Sequence, residues 1–309
     1  MATTFTISSW DQFTDIYEQR FRQKRGRFYY RGQSNDSWEL RTTHERLFSC
    51  ISQYIPTDPP FPSYSQGNLA SSPGARIELL ALRAFQARST KFLSNLPATD
   101  DTLEWLAMMR HWGMPTRLMD VTTSPHVALY FALCDRLAIS AATPQPTNAT
   151  VWAIAHVPLR CLASRAVNLP DHTDLSDPGL FHEHLIHSRK RIVAPVHPRT
   201  HNERLAAQQG TFLCVGDPDA SFCENLLGCM PGTEVRDQAV LYKFVIDNAA
   251  APEILGRLST MNIHQASLYP DLQGYAGFIE NSLLLFGMRG SYYSPQADWE
   301  SLERLGWLG

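Results

Sequence analysis

Phe13, Ile16, Tyr17 and Phe21 recur at three- and four-residue intervals, and Ser9 and Gln12 stand ahead of them in a capping-box pattern, so the chain is predicted to begin with an amphipathic helix. A basic stretch holding Arg20, Arg22, Lys24, Arg25 and Arg27 follows. It leads into Phe28-Tyr29-Tyr30-Arg31-Gly32, whose aromatic content and closing glycine predict a short strand ending in a tight turn, with Arg31 at the strand end. Residues 52–74, rich in Pro, Ser, Tyr and Gly, read as a loop. The helical period returns from 76 to 96 and again from 102 to 110, where Asp100 or Asp101 serves as cap, so residues 36–110 form a mainly helical insertion.

Pro115 then ends the helix. Residues 116–121 fit a strand, and Ser124-Pro125 supplies the N-cap and first position of a helix over 125–138, which makes a strand, turn and helix unit. After a polar linker at 142–149, the segments 150–157, 191–195, 210–215 and 239–246 read as strands, so the second half is predicted to be mostly sheet. Two helices are expected at 253–261 and 271–280, and the aromatic tail 282–309 receives no assignment. The pattern is that of one α+β domain over residues 1–309.

With 44% hydrophobic and 18% charged residues the chain can bury a sizeable core. A net charge of -3 removes any global field toward nucleic acid or anionic lipid and leaves only local basic runs, Arg20 to Arg27 and Arg189-Lys190-Arg191, for such contacts. The six cysteines form no Cys-x-x-Cys pair, and Cys134 and Cys214 sit in apolar runs, so reduced, buried thiols are expected. The N-terminus lacks the basic and apolar segments of a signal peptide. The longest apolar run, Val127 to Cys134, is far below the roughly 20 residues that span a bilayer, so a cytoplasmic protein without membrane contact is expected.

No Gly-x-Gly-x-x-Gly, Walker A loop, Gly-x-Ser-x-Gly elbow or His-Glu-x-x-His occurs, which argues against dinucleotide-fold dehydrogenases, P-loop enzymes, α/β-hydrolases and zincins. His184 and His187 could face a metal from one side of a helix, but no third ligand stands at clear spacing, and surface or core histidines are the better reading. The densest chemistry lies between Arg110 and Leu133. It gathers His111, Arg117, Asp120, Thr122, Thr123 and Ser124 around a strand-to-helix turn, whose backbone N–H groups suit an anion. Two readings compete there: Asp120 pairs with Arg117 or caps the helix, or it serves a site.

Tyr30-Arg31-Gly32-Gln33, followed by Trp38 and Leu40, resembles the (Phe/Tyr)-Arg-Gly motif of the FRG domain family. Further resemblances are His111-x-Gly113-x-Pro115-Thr116-Arg117-Leu118-x-Asp120-x-Thr122, Ala128-Leu129-Tyr130-Phe131-Ala132, Gln209-Gly210-x-Phe212 and Leu268-Tyr269-Pro270-Asp271-Leu272, which extend the likeness from residue 9 to about 280. The arrangement is also similar to the ADP-ribosyltransferase fold, which implies a split β-sheet core and NAD as substrate. On that resemblance Tyr30, Arg31, Gly32, His111, Arg117, Thr122, Thr123 and Tyr130 would hold NAD. Asp120 and Asp271 would be the candidate catalytic carboxylates, with Gln209 (and its neighbour Gln208) positioning an acceptor, because the Glu-x-Glu and Ser-Thr-Ser triplets of better-known transferases are absent. The implied activity is ADP-ribosyl transfer to a macromolecule, DNA or RNA slightly ahead of protein, in a defence or toxin setting. A non-enzymatic nucleotide- or nucleic-acid-binding sensor is the alternative, and a metal-dependent hydrolase or nuclease using Asp120 and His111 is a third reading.

Overall fold

The structure, a computed structural model, describes residues 2–21, 28–54, 72–135, 147–200, 203–230 and 240–289. Most of the loop predicted at 52–74, most of the first basic run and the tail beyond 289 lie outside the described residues. In chain order the elements begin with β1 (Thr3–Ile7), α1 (Trp10–Arg20), β2 (Phe28–Gln33), α2 (Thr43–Ile51), α3 (Pro73–Ser89), α4 (Thr102–His111), β3 (Leu118–Thr122) and α5 (Pro125–Leu133). The remainder are β4 (Ala149–Ala155), α6 (His156–Ala166), α7 (Pro178–Phe181), β5 (Val193–Val196), α8 (Glu203–Ala207), β6 (Gly210–Val215), α9 (Phe222–Gly228), β7 (Leu241–Ile246), α10 (Ala251–Thr260), α11 (Gln265–Leu268) and α12 (Leu272–Arg289).

The helix starts follow their caps. Ser9 and Ser124 each accept a hydrogen bond from a first-turn backbone N–H, of Gln12 and Val127. Pro73 and Pro125 occupy first-turn positions that need no N–H. Two expectations are corrected. The second half is not mostly sheet: β4 stops at Ala155 and α6 begins at once, with Pro158 in its first turn, and further helices separate the later strands. The strand β1 has no counterpart in the expected elements, because its support comes from pairing with β7, more than 200 residues away.

Among the described residues seven strands lie in the order β1-β7-β4-β2-β3-β6-β5, with β1 parallel to β7 and the other neighbours antiparallel. This confirms the mixed α+β class. One junction differs from the rest. β2 pairs with β4 at every residue from Phe28 to Gln33, but with β3 only at Tyr30 opposite Thr122. The sheet therefore consists of a block β1-β7-β4-β2 and a block β3-β6-β5 that meet at one residue pair.

Side-chain alternation assigns the cores to this division. On one face, Phe28, Tyr30, Val151 and Phe244 pack under α1, α5 and α10, whereas Leu118, Phe212 and Cys214 pack with Leu103, Leu106 and Met109 of α4 in a separate cluster. On the opposite face a single cluster joins Tyr29 and Ile154 of one block to Met119, Val121, Leu213 and Val215 of the other. That shared core holds the blocks together while the first face stays open between them.

Helix α5 crosses β2 at Gly32. A Cβ there would lie 2.1 Å from the Ala128 carbonyl oxygen and 2.6 Å from the Ala132 nitrogen, so the motif glycine is required by helix-on-strand packing. Both opposing atoms are helix backbone and cannot rotate away. Gly32→Ala is expected to lower the unfolding free energy by about 1–3 kcal/mol, the usual cost of overpacking, measured by urea titration. An unchanged midpoint would mean that α5 does not sit against β2.

Candidate functional site

Where β2 and β3 part, the next strand position holds Arg31. Its guanidinium NH1 donates to the Asp120 carbonyl oxygen at 2.7 Å, taking an acceptor on the β3 edge. NH1 also lies 3.9 Å from the Asp120 carboxylate, which is held more tightly by Arg110, Nε at 2.7 Å and NH2 at 2.6 Å. Burial lowers the Arg31 pKa to about 10, with Asp120 opposing the shift and Arg46 and Arg110 adding to it, so the group remains a cation at neutral pH. Its Nε is enclosed without a hydrogen-bond partner.

Beside this group a cavity of about 710 Å³ opens on the face that has two cores. The β2 block contributes Tyr30, Arg31 and Gly32, and α5 contributes Phe131. From the β3 block come Asp120, Thr122 and Phe212. Glu104, Ala107, Met108 and His111 of α4 stand at i, i+3, i+4 and i+7 and so form one helix stripe along the wall. Arg204 and Gln208 come from α8 and the residues after it, with Tyr269 beyond; the Arg204 guanidinium lies over the Tyr269 ring, 4.3 Å from its centre. Burial keeps the His111 imidazole below its ordinary range, Arg204 pushes the same way and Asp271 opposes. Among the described wall residues, three guanidinium groups (Arg31, Arg110, Arg204) thus face two carboxylates (Glu104, Asp120), an excess of one positive charge.

The sequence-based set is brought together in part. Tyr30, Arg31, Gly32, His111, Asp120 and Thr122 line the cavity. Arg117 does not: it is fully buried, its Nε and backbone N–H donate to Glu78 at 2.5 and 2.8 Å, and NH1 donates to the Leu185 carbonyl. Asp120 therefore pairs with Arg110 and Arg31, not with Arg117. Tyr130 is also turned away, its hydroxyl donating to Gln265, and the adjacent Phe131 takes the cavity position because neighbouring helix residues point about 100° apart. Asp271 caps α12, accepting from the Gly274 N–H at 2.7 Å, and the cavity residue of its motif is Tyr269.

The turn at 122–125 is not an open anion cradle. Thr123 N–H donates to the Gln209 carbonyl, Ser124 N–H to the Thr122 hydroxyl and Val127 N–H to the Ser124 hydroxyl, and Pro125 has no N–H. Thr123 and Gln209 instead border a smaller hollow of about 400 Å³ with Tyr29, His156 and His197. Gln209 has φ 47°, a left-handed conformation that closes the turn into β6. Arg110, Glu104, Arg204 and Tyr269 were missed as site residues. The i, i+3, i+4, i+7 relation to His111 could have marked Glu104, Arg110 opens the dense 110–133 stretch and Tyr269 stands in the 268–272 block, but nothing local marks Arg204.

Other candidate chemistry recedes. His182 to His187 form a π-helical turn, and among the described residues no cluster of three or more His, Cys, Asp or Glu could hold a metal. All six cysteines are free, as expected; Cys214 and Cys229 are buried and Cys134 and Cys161 partly so, but Cys50 and Cys223 are exposed, against the expectation of buried thiols. In the second basic run, Arg189 pairs with Asp217 and Asp219, Arg191 lies near Asp217, and Lys190 donates to a backbone carbonyl. No helix among the described residues is long and apolar enough to cross a membrane.

These features describe an α+β protein whose sheet is parted over a cavity walled by charged, aromatic and aliphatic side chains. Residues 26–140 match the FRG domain, which is what this stretch of the chain is similar to. The matched stretch includes β2, α4, β3 and α5; the resembling blocks at 209–212 and 268–272 fall outside it, so the match is shorter than the expected 9–280. No curated protein and no solved structure matches the chain.

Removing Glu78 would leave Arg117 as an unpaired buried cation. Glu78→Ala is expected to destabilise the fold by about 3–5 kcal/mol, with a matching fall in Tm, and Asp120→Asn by much less because that carboxylate is about two-fifths exposed. Equal losses would refute this division of roles. His44, buried against the same pair, has Nε2 without a partner, and burial lowers its pKa. The unfolded chain then takes up this proton first, so the contribution of neutral His44 is intact above about pH 6.5 and is lost as pH falls below it. His44→Phe is expected to flatten the decline in Tm between about pH 6.5 and 5; an unaltered slope would contradict this.

Proposed function

We propose that the cavity binds NAD and that the chain is an ADP-ribosyltransferase-like enzyme, moving ADP-ribose to a macromolecule in a cytoplasmic defence or toxin setting. The observation that carries this reading is the excess of guanidinium groups beside aromatic faces in a cavity of about 710 Å³, within the common range for small-molecule sites. Arg204 and Arg31 suit the diphosphate, because guanidinium groups give charge-assisted, often bidentate contacts to phosphate oxygens. Tyr30, Phe131 and Tyr269 supply ring surface for the bases. The division of the sheet beside an early arginine adds support through its resemblance to the transferase fold. DNA or RNA stays ahead of protein as acceptor only by a small margin, since the run at Arg189 to Arg191 is largely neutralised by Asp217 and Asp219.

A second reading, a nucleotide sensor without turnover, is favoured by the state of Asp120: a carboxylate held by Arg110 and close to Arg31 is poorly placed to serve as a base. Both readings require the cavity to bind nucleotide, and nicotinamide release separates them. Calorimetry with NAD is expected to detect binding to the intact chain, weakened about tenfold or more in Arg204→Ala through loss of a charge-assisted contact. Absence of binding at millimolar NAD would remove the transferase reading and leave a sensor for another nucleotide or for nucleic acid.

A further inference from the structure

We infer that Glu104, on α4, is the catalytic carboxylate of the cavity. The inference rests on the NAD reading above and names the group which that reading lacks. Of the two carboxylates in the described wall, Asp120 is committed to Arg110 and Arg31. Asp271 is outside the wall and caps a helix. Glu104 has no cation paired with it among the described residues; its Oε1 accepts the backbone N–H groups of Arg199 and Thr200. Those two donors hold the carboxylate in place on α4 without cancelling its charge. Glu104 and Thr200 both line the cavity, so the anchored side chain belongs to its wall.

An anion so placed is suited to a centre that becomes positive during reaction. As the glycosidic bond between the ribose carbon and nicotinamide breaks, its electron pair leaves with nicotinamide and positive charge develops on the sugar, which the Glu104 carboxylate stabilises. The acceptor's lone pair then forms the new bond to that carbon, and its proton passes to Glu104 and on to solvent. The excess cationic charge elsewhere in the wall holds the diphosphate, while Glu104 faces the opposite charge demand.

Glu104→Gln separates this role from anchoring of the 199–200 segment, because the amide oxygen can still accept both N–H groups. With NAD as the probe, and DNA, RNA or protein offered as acceptor, nicotinamide release by this variant is expected to fall about 100-fold or more, with calorimetric NAD affinity within about threefold of the unaltered chain. Glu104→Asp, which keeps the charge, is expected to recover part of the rate. Turnover by Glu104→Gln within about tenfold of the unaltered chain, or equal losses in both variants at unchanged Tm, would overturn the inference while leaving the NAD reading in place. If the unaltered chain binds NAD but releases no nicotinamide with any acceptor, the inference falls and the sensor reading stands. If it binds no NAD, the NAD reading itself falls and takes the inference with it.

Discussion

Restricted pairing between β2 and β3 is the constraint from which the rest of the site follows. After Tyr30 meets Thr122 the strands exchange no further pairs, and the Arg31 guanidinium binds the Asp120 carbonyl across the junction. A side-chain donor thus serves a strand-edge acceptor that would otherwise need a ladder partner. Two blocks joined at one point would be a weak sheet if nothing else linked them. The continuous apolar cluster from Tyr29 and Ile154 to Met119 and Leu213 provides that link on one face and leaves the other face free to form a cavity.

Charge is distributed according to the same division. On the cavity side, Arg31 and Arg110 converge on the partly exposed Asp120. Behind the wall, Arg117 and Glu78 form a fully buried pair that ties α3 to the start of β3, and Arg117 also reaches the Leu185 carbonyl. The first group can respond to a ligand because it has open surface. The second can serve only the fold, since exposing or unpairing either member would strand a charge in an apolar interior.

Legibility of the sequence depended on how local each cause was. The helix starts at Ser9 and Ser124, the strand over 210–215 and the entry of Arg31 into the cavity were readable because caps, prolines and aromatic runs act over a few residues. Arg117 was misassigned because its partner Glu78 lies 39 residues away, and no local pattern states that the pair is buried. Tyr130 and Asp271 were each displaced by a neighbour, Phe131 and Tyr269, since helix phase and cap geometry decide which of two adjacent residues faces a cavity. The FRG-like motifs led to residues around this cavity but not to what each does there: Gly32 allows α5 to approach, and Thr122 and Ser124 satisfy the turn.

Arg204 is the part of the wall that no sequence pattern announced, and with Tyr269 of the 268–272 block it adds a guanidinium and a ring to the cavity that Arg31 also lines. The most direct test is a crystal structure of the chain grown with NAD. The account predicts the dinucleotide in this cavity, its diphosphate within about 3 Å of the Arg204 or Arg31 guanidinium and β2 still parted from β3 beyond Tyr30. NAD bound elsewhere, or β2 and β3 paired through Gly32 with the cavity closed, would contradict it.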